Sequence, residues 1–515
     1  MKPSLVINAI SNWTSIGVSI ITSFVLTPFI IFRLGNSGYG IWVLVLSIVG
    51  YYGLLDLGLH SATIRYVARY VGQGDKISLN RTINTSVTIF FYLGVSVVFI
   101  SFLLADPLAI FFQIHENQAL EFRHMVWLVG GAAGLGFPRR IFDAILMAYE
   151  RFVILNVLET ISHILRAATI LLTLISGWGL EGIGWAELGT EIFNFGCKFA
   201  ILLSMKHEFS LSLFRIHGAT AWSLTGFGIL TFVTVIGDTL RFNIDSAIIG
   251  RFLTMEAVGI YGVAFTLIRL LIRVSNACTV VTFPRLSQLA GRDFQDFQKN
   301  YLIYSRMSSI FITGLTLELV LLSPGFIRLW VGQAFREAEV ITFILACSLA
   351  TDFATTISIN ALKALNKLHF YAVQTIAEGI CKLILSLILV RYLGIAGVAL
   401  GTAIPLVINK IFIQPVYTSR LIGIDFWMYL REVLLRPAGI ALPAGIGLYY
   451  SGLVLSSSFF SLALSGFLIA ALFASAVIFF YLNAGERLEL AGILRKYLLA
   501  LRCGRKTEIR QEETL

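Results

Sequence analysis

Arg269 and Arg273 stand one helical turn apart in the apolar stretch VGIYGVAFTLIRLLIRVSNACTVVT, which holds no acidic residue. Two like charges at that spacing repel each other, so an anionic group has to face them, either carboxylates of a neighbouring helix or a phosphate. A guanidinium is a planar fork of donors that fits phosphate oxygens two at a time, which makes the pair a candidate anion site. Arg139 and Arg140 are a second candidate in FPRRIFD, where Pro138 frees a backbone carbonyl; the alternative is that they reach out of an apolar layer to its polar edge. Arg241 is a third, though its place between Asp238 and Asp245 equally reads as a compensated pair inside a helix bundle. Asn8, Asn12 and Ser15 recur on one helix face beside Trp13. Such a stripe either hydrogen-bonds sugar hydroxyls, with the indole as a stacking surface, or glues two helices together.

The acids divide in the same way. Asp143 lies three and four residues after Arg140 and Arg139, and Lys382 lies four after Glu378, so these read as compensated pairs within a helix. Glu159, Glu318 and Asp352 have no clear partner on their own helix. Together with Asp238 and Asp245 they are candidates for carrying a proton or binding sodium. No other chemistry is signalled. Cysteines 197, 278, 347, 381 and 503 share no CxxC spacing, and the histidines form no HExxH, so neither a disulfide framework nor a metal site is indicated. No cofactor is expected, and no nucleophile and base fall together.

These charges are exceptions in their chain. Of 515 residues 57% are apolar and 13% charged, with a mean hydropathy of +0.84. A soluble domain carries about 25% charged residues, so too few polar groups exist to cover water-facing surfaces, and the chain is an integral membrane protein. A spanning helix takes about 20 residues. Fourteen stretches qualify, near 5–32, 40–59, 82–105, 124–148, 152–175, 182–204, 222–250, 258–282, 301–323, 340–362, 370–390, 394–417, 436–456 and 459–483. The first lacks an early small-residue cleavage site and reads as a retained helix, not a signal peptide. The loops on the side of the termini, with the termini and with Arg306 and Arg436 at the adjoining span ends, hold 24 Lys and Arg against 6 on the other side, so the positive-inside rule makes both termini cytoplasmic. Residues 60–81 and 284–300 are then cytoplasmic and 324–338 outside. The net charge of +10 is mostly this topology signal, and nucleic acid is not an expected partner. The outer loops, at most 106–122 and 324–338, are too short for a catalytic domain. The tail 485–515 is basic and forms either an interfacial helix on anionic lipid or a solvated end.

Shifting the sequence by 219 aligns LGNSGYGIW with LTMEAVGIY, and Gly40, Ile41 and Gly72 meet Gly259, Ile260 and Gly291. A shift of 213 aligns LEGIGWA (180–186) with LGIAGVA (393–399). The matches fall in equivalent topological places and imply two six-helix lobes of the same orientation, 1–218 and 222–418, with two further helices over 434–484. Parallel repeats place a substrate site between them near the midplane.

FRLGNSGYGIW, LLDLGLHSATIRYVARYVGQGD and PGFIRLWVGQAFREA (324–338) resemble the polysaccharide-transport branch of the MATE-like flippase superfamily, the Wzx-type O-antigen and exopolysaccharide flippases. The resemblance covers essentially the whole chain and rests on helix–loop patterns. It implies an all-α, fourteen-helix transporter of the inner membrane, not an enzyme, that moves polyprenyl-diphosphate-linked oligosaccharides to the outer leaflet by alternating access. Its partners would be membrane lipid, the lipid-linked oligosaccharide and glycan-assembly proteins. It also implies that the helix bearing Arg269 and Arg273 borders the cleft between the lobes, and that the charge-free stretch 437–485 borders the polyprenyl tail or packs as an annex. The alternatives are a MATE-like cation or drug antiporter, which would favour a carboxylate in the first helix, where there is none, and a glycan polymerase or ligase, which would need a large outer loop.

Overall fold

Fifty residues, Pro3–Tyr52, form helix α1, which at about 1.5 Å per residue is more than twice the roughly 30 Å of bilayer hydrocarbon. It does not run straight. Gly35 takes φ 73°, ψ 176°, a left-handed conformation open to glycine, and divides α1 into two limbs where the sequence predicts the first outer loop. This computed structural model describes residues 3–481 apart from 206–208, 211, 213–214, 280 and 452–457, together with Gly485 and Arg487. Most of the tail 485–515 therefore lies outside the described residues.

Every element among the described residues is helical, and nine helical stretches are long and apolar enough to cross a membrane. Two of the nine, Ile10–Asp56 and His369–Ile422, are 47 and 54 residues long. Each has the length of two crossings and breaks at a glycine, Gly35 in the first and Gly394 (φ 57°) in the second. Three more long helices stand outside the nine: α4 (Glu116–Ala148), α6 (Gly179–Ser204) and α7 (Gly218–Phe242). In α4 and α6 the apolar run is interrupted by charge, Arg139, Arg140 and Asp143 in one and Glu181, Glu187, Glu191 and Lys198 in the other.

Helix ends follow local chemistry. Asp75 caps α3 (Lys76–Phe111) by accepting from the Ser78 N–H at 3.0 Å, and the Ser78 hydrogen bonds hold its carboxyl below the usual carboxylate range. A depressed carboxylate stabilises above its unfolded pKa, so this cap weakens as acid protonates it. Ser458 and Ser461 cap α18 (Phe459–Ala476) reciprocally, as in a capping box.

The chain packs as two compact units. The first comprises residues 1–274, 327–349 and 366–409. In it α3 packs on α4, α4 on α6, α1 on α5 (Phe152–Ile175), and α7 on α14 (Leu368–Ile408). A core of Phe90, Phe137, Ile141, Ile145, Leu155 and Leu202 is closed to water. Backbones meet where side chains vanish: a Cβ on Gly94 would lie 2.4 Å from the Gly134 carbonyl oxygen, the small-residue packing of membrane helices.

A second such crossing joins the matched repeats. A Cβ on Gly40 would lie 1.7 Å from the carbonyl oxygen of Met255, and one on Gly259 3.0 Å from that of Asn36. Asn36 and Met255 are themselves 219 positions apart, as are Val43 and Gly262, which also touch. The contact is reciprocal, as in a two-fold interface. The break at Gly35 and that between α8 (Ile244–Phe252) and α9 (Met255–Thr279) fall at corresponding places. Gly40→Ala is expected to push the two backbones apart at a cost of about 1–3 kcal/mol or more. Gly259→Ala needs a shift of only a few tenths of an ångström and should cost less. Thermal unfolding of both in detergent checks the order; equal melting would refute it.

The second unit comprises 275–326, 350–365 and 410 onward. Tyr301 stacks on Tyr429 at 5.8 Å and bonds Ser358 at 2.8 Å within a core that includes Leu286, Phe297 and Ile422. The charge-free helices α17 (Arg436–Tyr450, charge-free from Pro437) and α18 lay Leu448, Ile469 and Phe473 against Leu317. Their other faces bare Leu442, Ile446, Phe460 and Phe467, an apolar surface suited to lipid.

Candidate functional site

Within the first unit lies a cavity of about 290 Å³ walled by α1, α5, α6, α8 and α9. Its walls carry Arg166 and His163 from α5, Glu187 from α6, and Arg269 and Arg273 from α9. Three arginines thus face one carboxylate. Arg269, near the middle of α9, makes no ion pair among the described residues; its guanidinium lies over the Phe265 ring at 4.9 Å. Arg273 donates to the Ser19 hydroxyl at 3.3 Å. Arg166 Nε stands 3.4 Å from Glu187 Oε2, yet neither that Nε nor Glu187 Oε1 has a hydrogen-bond partner.

The opposite wall is α1. Ser19, Ser23 and Thr27 recur every four residues and line the cavity with Thr22. Thr22, Ser23 and Thr27 each donate back to their own helix at 2.9 Å, which leaves their oxygens as acceptors toward the cavity. Tyr39, Trp42 and Tyr261 add aromatic surface. The α1 wall is braced by Trp330, which donates to the Phe24 carbonyl at 2.8 Å and packs tilted against its ring at 5.0 Å. Beside it Arg328 is held bidentately by Glu339 at 2.8 and 3.0 Å, so the PGFIRLWVGQAFREA segment acts as a strut.

The other candidate residues lie elsewhere. Arg139 is bound by Glu191 at 2.5 Å and Asp143 at 2.9 Å and approaches Glu159 at 3.5 Å. The buried Lys198 closes this network on Asp143 and Glu159 at 2.6 and 2.7 Å. Arg140 pairs with Asp56 at 2.9 Å and covers the Phe137 ring. Glu159 thus has two cationic partners on neighbouring helices. Arg241 meets Glu378 at 3.3 Å, and Asn409 donates to Glu378 at 2.5 Å. Lys382 reaches Asp245 at 3.0 Å, which also accepts from Tyr261 at 2.5 Å. The expected pairing of Lys382 with Glu378 along one helix is replaced by pairing across helices, because α14 turns Glu378 toward Arg241 of α7 and Lys382 toward Asp245 of α8.

Asp352 meets Lys410 at 3.0 Å in the second unit, and Glu318 is half-buried without an ion pair among the described residues. The Asp238 side chain is outside the described residues. Asn8, Asn12 and Trp13 do not line the cavity, and Asn12 and Trp13 are exposed. The hydroxyls at 19, 23 and 27 were readable from their spacing, since they continue the polar stripe of 8, 12 and 15. His163, Arg166 and Glu187 had no such signal.

This arrangement can hold an anion of two charges beside a hydroxyl-rich wall. The profile of a family described as "Polysaccharide biosynthesis protein" matches residues 30–340. The chain is 24% identical to "Uncharacterized membrane protein EpsK" of Bacillus subtilis, over 83% of this chain and 86% of that one. It is 23% identical to the "Putative O-antigen transporter" of Shigella flexneri, over 79% and 97%. A solved structure titled "Lipid II flippase MurJ, inward closed conformation" shares the fold with a TM-score of 0.73 at 14% identity, covering 91% of this chain and 98% of that one.

Proposed function

The chain belongs to the polysaccharide biosynthesis protein family, and we propose that it is a flippase carrying polyprenyl-diphosphate-linked oligosaccharides from the cytoplasmic to the outer leaflet by alternating access. The observation that carries this reading is the cavity in which Arg166, Arg269 and Arg273 face a single carboxylate. A diphosphate does not cross hydrocarbon unaided, and preplaced guanidiniums lower its barrier with charge-assisted hydrogen bonds. The hydroxyls of α1 offer acceptors to sugar. The excess of cation over carboxylate speaks against a cation antiporter. About 290 Å³ is at the low end for a small-molecule site; it takes a headgroup and not a whole oligosaccharide, so passage requires the walls to part.

The names of the relatives support the same substrate class: one is called an O-antigen transporter and another a glycan biosynthesis flippase. Reconstitution in proteoliposomes with defined lipid-linked glycans tests the function. Glycosidase- or lectin-accessible glycan should appear on the far leaflet at a rate set by the protein, and an unchanged background rate would end the proposal.

The finer topology is part of this reading. In it the chain crosses the inner membrane fourteen times with both termini cytoplasmic, a count supported by the nine apolar stretches, two of them broken at glycine, together with α4, α6 and α7. The partners are then lipid, the lipid-linked glycan and glycan-assembly proteins. In a background without native cysteines, Gln333→Cys is expected to react with an impermeant thiol reagent from outside and Gln73→Cys only after permeabilisation. Labelling of both from outside would overturn the count.

A further inference from the structure

The carboxylate in the cavity needs a reason of its own. Glu187 sits among cationic side chains in a cavity read above as an anion site, where a glutamate weakens what the arginines are there to bind. It is not a tightly locked structural partner of Arg166 either. Their 3.4 Å approach makes no hydrogen bond, and Glu187 Oε1 is buried without a partner. Arg328 and Glu339, by contrast, lock through two hydrogen bonds. The Arg166 side chain keeps 43% of its surface exposed, so its fork stays open to a ligand while Glu187 stays beside it.

The charges explain the placement. At a pH where His163 is neutral, the three arginines and Glu187 leave the cavity two positive charges. A diphosphate esterified at both ends, to a prenyl chain and to a sugar, carries two negative charges. The same carrier without its sugar ends in a free phosphate and carries about three. Resting on the flippase reading, we propose that Glu187 is a specificity-determining residue that matches the cavity to the sugar-loaded diphosphate and disfavours the bare prenyl diphosphate. The third charge of the bare headgroup has no cation left to meet it, and it meets the unpartnered Glu187 oxygen instead. Like charges held side by side between protein walls repel more strongly than they do in bulk water. The other polar groups on these walls are neutral: the α1 hydroxyls and the phenols of Tyr39 and Tyr261. Glu191, one turn further along α6, is held by Arg139.

The test measures binding of two probes to the purified full-length chain in detergent at about pH 8, above the ordinary histidine range. One probe is farnesyl diphosphate; the other is farnesyl diphosphate esterified with N-acetylglucosamine. The readout is the ratio of their affinities, which cancels any general loss of folded protein. Glu187→Gln is expected to shift the ratio toward the bare diphosphate by roughly three- to tenfold. Arg166→Gln removes a positive charge and is expected to shift it the other way, so the proposal stays testable if one variant fails to fold. A ratio unmoved by Glu187→Gln, or moved in the same direction by both variants, would overturn it. Failure of the flippase reading looks different: neither probe would then lose affinity in the Arg269→Gln, Arg273→Gln double variant.

Discussion

Arg269→Gln combined with Arg273→Gln is expected to weaken diphosphate binding by roughly 10²–10⁴-fold, because each charge-assisted contact contributes about 1.5–3 kcal/mol. The amount of folded protein in the membrane should change little. Among the described residues Arg269 rests on a phenyl ring and Arg273 on one serine hydroxyl, and neither pairs with a carboxylate. Arg→Lys at both positions keeps the charge and loses the planar fork, so it should fall between. Translocation normalised to folded protein separates the readings. A structural pair would lower the folded amount and leave the surviving molecules fully active, and that result would remove the site.

Lys382→Met is expected to do the reverse, damaging the fold itself. Lys382 and Asp245 are both almost wholly buried at 3.0 Å from each other. Without the ammonium, the partners left to Asp245 among the described residues are hydroxyls, Tyr261 and more distantly Thr402. Removing one member of a buried ion pair typically costs about 3–5 kcal/mol, since a desolvated charge is left behind. The double variant Lys382→Met, Asp245→Asn should recover much of that loss. Thermal unfolding in detergent checks both, and a single variant as stable as the unaltered chain would disprove the account.

The contrast between these two sites also marks what sequence could reveal. Arg269 and Arg273 were legible because repulsion between like charges on one helix face is a local fact, fixed by the 3.6-residue turn. The turns near Gly35 and Gly394 were legible as the gaps between the spans 5–32 and 40–59 and between 370–390 and 394–417, because an apolar run too long for one crossing must turn; that each turns at a glycine was not read. Partner choice between helices was not legible. Whether Lys382 meets Glu378 on its own helix or Asp245 on another depends on how α14 is rotated about its axis, which no spacing encodes. Glu159 looked unpartnered for the same reason, its cations being on α4 and α6. Arg166 and Glu187 are 21 positions apart on different helices, and their meeting is a product of packing alone. The polar stripe legible at 8, 12 and 15 continues at 19, 23 and 27, and it is these later hydroxyls that line the cavity.

The reciprocal crossing at Gly40 and Gly259 bears on ancestry. A position that touches its own counterpart, with flanking positions exchanging partners around it, is the arrangement two separate copies of a half-length chain adopt when they dimerise through one shared patch. Here the patch is a patch of backbone, bare of side chains, so it could be used before either half had diverged to fit the other. Both members of the pair must be glycine or nearly so for the backbones to meet, while the cavity next to them is unequal, hydroxyls on the α1 wall and arginines on the α9 wall. The seam is symmetric and the cavity beside it is not.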